Sequence, residues 1–285
     1  MENHYWTENK YLQGVCVLVI LYKPTQRQLN CLNSLSTVNI PIIAVDNSSY
    51  VSQVNEGIIY IPLYENKGIA AAQNIGIHEA KRRQYQYIIF FDQDSEIENS
   101  YINQITREYV RIKKMEYNVA TVGPLIIDRS SRLPVKNYTS NSGEYEEVIN
   151  IVSSGSIIET KTFDYVGLFE ERLFIDLVDS EWCWRAKSKG LNTYMSKNVH
   201  LYHSIGKKYK KIGPLFCNPS SAFRYYYQYR NTIWMLYRDY VPFRWKYRTV
   251  LRKIVDMFIY PFMSDDALFA LKQMLKGIYH GFTQR

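Results

Sequence analysis

The chain has 285 residues, 46% of them hydrophobic and 22% charged, with a formal net charge of +8. Those proportions belong to a folded globular protein with a sizeable core and exclude a disordered or fibrous chain. No stretch approaches the ~18 uninterrupted apolar residues of a spanning helix. Cys16, Cys31, Cys183 and Cys217 lie far apart without metal-ligand spacing, so free thiols in a reducing cytosol are expected and structural zinc is not.

The opening MENHYWTENKYLQG lacks a basic region followed by an apolar run, so no secretory signal is expected. Residues 14–22 (GVCVLVILY) form a continuous β-branched run, a buried strand. Leu29, Leu32 and Leu35 recur at helical spacing within 26–36. Residues 40–45 read as a second buried strand that ends at Asp46-Asn47-Ser48-Ser49, and 57–62 as a short third. Asn66-Lys67-Gly68 opens a helix over 69–83 that is rich in small residues (Ala70, Ala71, Ala72, Gly76). Small residues let such a helix lie close to a sheet or to a nucleotide, and helix N-termini attract anions. Residues 87–91 form the next strand, which stops at Asp92-Gln93-Asp94-Ser95.

Strands alternating with helices imply βαβ units and a mostly parallel sheet covered on both faces. Ligands of such sheets bind beyond the carboxyl ends of the strands. Tyr22-Lys23-Pro24, Asp46-Asn47-Ser48, Asn66-Lys67-Gly68 and Asp92-Gln93-Asp94 all fall at those ends, so these loops converge on one edge. Carboxylates at i, i+2 in extended backbone point the same way and repel unless a cation lies between them. Asp92 and Asp94 therefore point to a divalent cation carrying a diphosphate, although an acidic turn after a strand has the same pattern. Asp46 can accept from the imide N–H of uracil or thymine, or close an Asx turn; Tyr22 can stack on a base or cap the sheet edge.

Downstream, 119–127 is a strand with a break or bulge at Gly123-Pro124, and 130–150 is expected to be a mobile loop or hairpin. Ser153-Ser154-Gly155-Ser156 permits close approach of ligand or backbone. Asp176, Asp179 and Glu181 lie among aromatics around the start of a helix over 179–189 that Gly190 stops. Asp179 can serve as a general base whose pKa is raised by apolar neighbours such as Val178 and Trp182, or Asp176 and Asp179 can cap the helix. His203 ends a strand over 198–203 and can complete a manganese-like site, donate to a leaving phosphate, or be structural. From about 220 the chain is helical, with breaks at Pro242 and Pro261. Lys207, Lys208, Lys210, Lys211, Arg224, Arg230, Arg238, Arg244, Lys246, Arg248, Arg252 and Lys253 crowd this part among tyrosines and tryptophans. No nucleic-acid-binding motif accompanies them, so an anionic membrane surface is the preferred partner and nucleic acid is not expected.

The ordered set LVILYKP, AVDNSS (44–49), NKGIAAAQNIGI (66–77), FFDQDS (90–95), SSGSII (153–158), VGLFEERLFIDLVDSEWCWRAKSKG (166–190), HSIG (203–206), RYYYQYRNTIWMLYR (224–238) and MLKGIYHGF (274–282) resembles the family 2 glycosyltransferases with the GT-A fold. Among them it is most similar to bacterial rhamnosyltransferases of surface-polysaccharide and O-antigen assembly. The resemblance implies an α/β GT-A domain over 1–215, with a nucleotide-sugar half at about 14–127 and an acceptor half at about 128–215. A helical, membrane-associating extension over 216–285 would follow. It implies that Asp46 reads a pyrimidine, that Tyr22, Asn66, Gly68 and Asp92 line the donor site, and that Asp94 holds Mn2+ or Mg2+ with Asp92 and His203. It implies that Asp179 is the base; Val178 stands where most members carry a first acid, as in the VDxEW form of rhamnosyl members. The implied reaction is an inverting single displacement from dTDP-β-L-rhamnose to a lipid-linked oligosaccharide, at the cytoplasmic face of the inner membrane. Other readings are a UDP-sugar donor (galactofuranose or a hexose) and a non-catalytic membrane-associated scaffold.

Overall fold

The computed structural model describes residues 12–35, 40–95, 97, 99–128, 131–134, 143–203, 210–212, 215–217, 220–264 and 266–285. The strands are β1 (Val15–Leu21), β2 (Ile42–Asp46), β3 (Ile58–Pro62), β4 (Tyr87–Asp92), β5 (Val119–Asp128), β6 (Tyr145–Val148), β7 (Ile157–Glu159) and β8 (Asn192–His203), followed by the pair β9 (Lys210–Ile212) and β10 (Leu215–Cys217). The first eight form one sheet in the order β3-β2-β1-β4-β7-β5-β8-β6. The helices are α1 (Gln26–Leu35), α2 (Ile69–Arg82), α3 (Asn99–Met115), α4 (Thr162–Val166), α5 (Val178–Ser188), α6 (Ala222–Leu236), α7 (Phe243–Ile259) and α8 (Ala267–Thr283).

The sheet is parallel from β3 through β4, antiparallel where β7 enters, and mixed beyond. Strand alternation builds two cores. On β1, Val15, Val17, Val19 and Leu21 face α1 and α3, meeting Leu32, Ile105 and Tyr109. Cys16 and Leu18 face the other way, onto Ala72, Ile77 and Trp182 of α2 and α5. Gly76 sets the closeness of α2 to the sheet, because a Cβ there would stand 2.2 Å from Leu18 Cδ1.

Helix α3 was not foreseen, yet Tyr101, Ile102, Ile105, Tyr109 and Ile112 carry its buried stripe. The bulge expected at Gly123-Pro124 appears as a register shift between Pro124 and Leu125 against β8. Within 130–150 a short strand, β6, pairs with β8; residues 135–142 lie outside the described set. The expected boundary at 215/216 falls within β10.

The C-terminal helices are joined to the rest by packing. Trp234 and Met235 of α6 belong to the same core as α5. Tyr225, Tyr229, Tyr260, Ala270 and Met274 form a further cluster between α6 and α8. Asp266 caps α8 by accepting from the Phe269 N–H at 2.8 Å. Among the described residues no helix is long and apolar enough to cross a membrane.

Candidate active site

The parallel strands end flush. Leu21 stands opposite Asp46, Asp46 opposite Pro62, and Ile20 opposite Asp92. The loops after them therefore meet at one edge, which gives the predicted convergence a physical basis in the ladder register. Gln93 ties two of these loops. Its Oε1 accepts from the Tyr22 N–H at 2.7 Å, and its Nε2 donates to the Tyr22 carbonyl at 3.2 Å. The Tyr22 ring is exposed beside them.

Asp46 lies at 0% exposure. It accepts from the Ser48 N–H (3.0 Å), the Ser52 hydroxyl (2.5 Å) and the Tyr60 hydroxyl (2.7 Å). The Asx turn is thus present, and most of the carboxylate's acceptor capacity is used within the protein. Burial and the bond to Asp46 push the Tyr60 phenol up to about 12, so it remains a donor. Asn47 and Asn66 fix the adjoining loop. Asn47 Nδ2 donates to Asn66 Oδ1 at 2.9 Å, while Asn47 Oδ1 accepts from Lys67 N–H and Asn66 Oδ1 from Gly68 N–H.

The acidic pair differs from the extended geometry expected of it. The chain turns immediately after β4, closed by the Ser95 N–H donating to the Asp92 carbonyl at 3.0 Å. Asp92 is half-buried and Asp94 exposed on that turn. Ser154 supports it from below, its Oγ accepting from the Asp92 N–H at 3.2 Å and lying 2.9 Å from Ser95 Oγ.

The acids of 176–181 sort by partner. Asp176 receives a fork from Arg224 at 2.5 and 3.2 Å. Glu181 is fully buried and held by Arg185 and by the Tyr240 hydroxyl, so its role is architectural. Asp179 has no cationic partner among the described residues. Burial raises its carboxyl to about 6; the Ser153 N–H and hydroxyl pull it back, and the charge of Asp92 pushes it further up. That last effect links the carboxylate at the end of β4 to the one at the start of α5. Ser153 is itself held by Gln73 of α2, whose Nε2 donates at 3.1 Å.

The turn leading to Asp179 is strained. Phe174, Asp176 and Leu177 have φ of 65°, 66° and 65°, a region costly for side-chain-bearing residues. Helix α6 holds it there. Buried Asn231 donates through Nδ2 to the carbonyls of Leu173 (3.0 Å), Ile175 (2.8 Å) and Asp176 (3.1 Å). Arg230 Nη2 donates to the carbonyls of Arg172 and Leu173 at 2.6 and 3.0 Å. On its other side the turn meets the Asn66-Lys67-Gly68 loop, with the Ile69 N–H donating to the Phe174 carbonyl at 2.7 Å. Gly68 has φ 86°, and a Cβ there would lie 2.6 Å from the Phe174 ring. Close approach of this turn therefore accounts for the glycine. Sequence reasoning assigned no role to Gln93 or Asn231, read Ser153 only as a small residue permitting close approach, and counted Arg230 in the basic membrane-facing set, whereas Arg230 is 8% exposed and bonds the turn. The available signal was an asparagine inside a helix, an unfavourable choice without a partner.

Residues 16–156 match the family described as Glycosyl transferase family 2. Over 262 residues the chain is 31% identical to the dTDP-rhamnosyl transferase RfbF of Shigella flexneri, covering 85% of this chain and 86% of that protein. The chain belongs to glycosyltransferase family 2. The glycosyltransferase also superposes on the crystal structure of GalNAc-T7 with UDP, GalNAc and Mn2+. The TM-score is 0.51 at 14% identity, over 67% of this chain and 43% of that one, a likeness of GT-A fold.

For a divalent cation, the described residues of this glycosyltransferase offer a partial fit. Asp92 and Asp94 share the turn after β4 and supply hard oxygen donors. Among the described residues no cluster of three or more His, Cys, Asp or Glu gathers around them. His203 ends β8 opposite Asp128, but its side chain lies outside the described set.

Proposed function

We propose that this glycosyltransferase moves L-rhamnose from dTDP-β-L-rhamnose to a hydroxyl of a lipid-linked glycan acceptor, with inversion at the anomeric carbon, in surface-polysaccharide assembly. The observation that carries the chemistry is Asp179: a carboxyl raised to about 6, bonded by Ser153, without a cation among the described residues, and in the field of Asp92. Such a group is ionised near neutrality and basic enough to take a proton from an attacking sugar hydroxyl. The dTDP-rhamnosyl donor is supported by the 31% identity to the Shigella flexneri enzyme along most of both chains.

In this reading the donor's nucleotide lies along the flush strand ends. Tyr22 flanks the base, and Asp46 shapes that pocket through the Ser48, Ser52 and Tyr60 bonds it accepts. Asn66 and Gly68 hold the loop beside the diphosphate. Asp94 and Asp92, with His203, would hold Mn2+ or Mg2+, which when bound would offset the charge of the departing diphosphate. Asp179 accepts the acceptor's proton as its oxygen attacks. One carboxylate suffices because the leaving diphosphate needs neutralising rather than protonation, unlike the pair used in glycoside hydrolysis. The acceptor side faces a cytoplasmic membrane surface, which suits the exposed apolar residues of α7, α8 and the turn between them, including Phe243, Phe258, Phe262 and Leu268. Of Lys207, Lys208, Lys210 and Lys211, expected at the membrane contact, the first two lie outside the described residues and the other two fall in β9 with their side chains outside the described set.

The test is calorimetric binding of dTDP-rhamnose with and without Mn2+ or Mg2+, to the wild type and to Asp94→Ala. The expected result is metal-dependent binding that Asp94→Ala abolishes. Binding of UDP-sugars in place of dTDP-rhamnose overturns the donor; failure to bind any nucleotide overturns the catalytic reading.

A further inference from the structure

Helix α2 carries two side chains that close packing does not account for. Gln73 and Asn74 stand among Ala70, Ala71, Ala72 and Gly76, and both are 2% exposed. A buried amide brings donors and acceptors that must be met away from water. Asn74 meets them locally. Its Nδ2 donates to the Phe169 carbonyl and to Glu171 Oε1, both at 2.9 Å, and its Oδ1 accepts from the Phe169 N–H at 3.0 Å. These bonds fasten α2 to the segment that leads into the strained turn.

Gln73 is different. Its Nε2 donates to Ser153 Oγ at 3.1 Å, while its Oε1 is buried with no hydrogen-bond partner among the described residues. An orphaned buried carbonyl destabilises by more than one neutral bond stabilises. A methionine would fill a similar volume without that loss. The amide is therefore explained by where its donor points, not by packing.

That donor points at a residue whose remaining groups are all engaged. The Ser153 N–H and hydroxyl both donate to Asp179. The Ser153 carbonyl accepts from the Ser156 N–H at 2.8 Å and from its hydroxyl at 2.7 Å. With Oγ accepting from Gln73, the hydroxyl proton is left to Asp179. The opposite amide orientation would set Oε1 competing for that proton. The void against Asp179, lined by Thr121, Ser153, Ser156 and Cys183 among others, holds only about 10 Å³. That is the lower limit for a single water, so solvent does not replace Ser153 on that side. Asp179 itself is only half-buried, whereas Gln73 and Ser153 are buried. The base is reachable and its holders are not.

We propose that Gln73 is a positioning residue for glycosyl transfer: it aims the Ser153 hydroxyl at Asp179 and so fixes the orientation in which that carboxylate meets the acceptor. Gln73 acts through Ser153. The proposal rests on the glycosyl-transfer reading and adds a second helix, α2, to the mounting of the base.

The experiment compares full-length wild type, Gln73→Met, Gln73→Glu, Ser153→Ala and the double variant Gln73→Met/Ser153→Ala. It reads hydrolysis of dTDP-rhamnose, with water standing in for the acceptor, the urea unfolding midpoint, and amide exchange at Ser153 in deuterated solvent. Gln73→Met should lower kcat by about three- to tenfold, the worth of one hydrogen bond, with the donor KM unchanged. Exchange at Ser153 should quicken by a similar factor while that at Val17 of β1 stays as it is, and the unfolding midpoint should not fall. The double variant should be no slower than Ser153→Ala, because the two side chains act as one unit. Unchanged kcat and unchanged Ser153 exchange in Gln73→Met overturn the assignment. So does a double variant whose losses multiply, or a midpoint that falls while kcat holds. If Gln73→Met fails to fold, Gln73→Glu decides. Glutamate matches glutamine in length but accepts where glutamine donates, so kcat should fall at least as far, and an unchanged kcat overturns the assignment. If the wild type turns over no nucleotide sugar, the glycosyl-transfer reading falls, and exchange at Ser153 in Gln73→Met then upholds or overturns the aiming role by itself.

Discussion

The donor edge and the turn before Asp179 are built by different means. At the edge, parallel ladders bring Leu21, Asp46 and Pro62 level, so backbone regularity delivers the loops. The turn has no ladder. Three residues at positive φ are held by Asn231 and Arg230, more than fifty residues downstream in the chain. The sheet levels the strand ends at the edge, and the side-chain bonds of Gln93, Asn47 and Asn66 only join the loops beyond them. The turn depends on a few side-chain bonds, and the base is mounted on the less redundant of the two.

The largest test of this contrast removes the base. Asp179→Asn keeps the shape of the side chain and is expected to lower kcat by roughly a thousandfold, with dTDP-rhamnose binding changed less than twofold, measured by initial rates and calorimetry. A donor affinity that collapses with the rate would break the division between edge and turn.

Next comes the clamp. Asn231→Ala leaves the carbonyls of Leu173, Ile175 and Asp176 without their donor. Misplacement of the base should lower kcat by about 10- to 100-fold with the donor KM unchanged. The acid limb of the pH–rate profile should move as well, because the Asp179 carboxyl leaves its present surroundings. A variant that only melts earlier, with kcat and pH profile intact, would reduce Asn231 to a fold residue.

Gly68→Ala probes where the two regions touch. The new Cβ meets the Phe174 ring at 2.6 Å and its carbonyl oxygen at 2.7 Å, on backbone that disfavours alanine. A loss of about 1–3 kcal/mol is expected, read as a lower midpoint in urea unfolding. No loss would mean that the contact is not held in solution.

The smallest effect is in pH. Asp179 must be ionised to act, and its carboxyl lies at about 6, so the rate should rise as pH climbs through that value. The Ser153 hydroxyl lowers that carboxyl, so Ser153→Ala should shift the acid limb of kcat/KM to higher pH. A shift to lower pH, or none, would remove Ser153 from the account.

How much could be read from the sequence follows the same division. Residues 14–22, 40–45 and 87–91 became β1, β2 and β4, because a strand buried on both faces must be apolar throughout, and 57–62 became the half-buried edge strand β3. Their ends, and so Asp46, Asn66 and Asp92, were legible as a convergent edge. What holds Asp46 was not: Ser52 and Tyr60 reach it across a loop whose course no local pattern encodes. The acids from 176 to 181 looked alike in sequence. Their partners Arg224 and Tyr240 lie 48 and 59 residues away, and only the fold reveals that Asp179 is the one without a cation among the described residues. Helix α3 escaped although its buried stripe was visible, since arginines, lysines and other polar residues, Glu108 among them, fill the positions between.

The bond from the Ile69 N–H to the Phe174 carbonyl joins the two regions directly. It makes that amide a built-in reporter. In deuterated solvent, slow exchange at Ile69 records the interval during which the catalytic turn stays docked on the first turn of α2, and fast exchange records its release. Followed residue by residue as each substrate is added, one proton reads out whether the two regions engage together or in sequence.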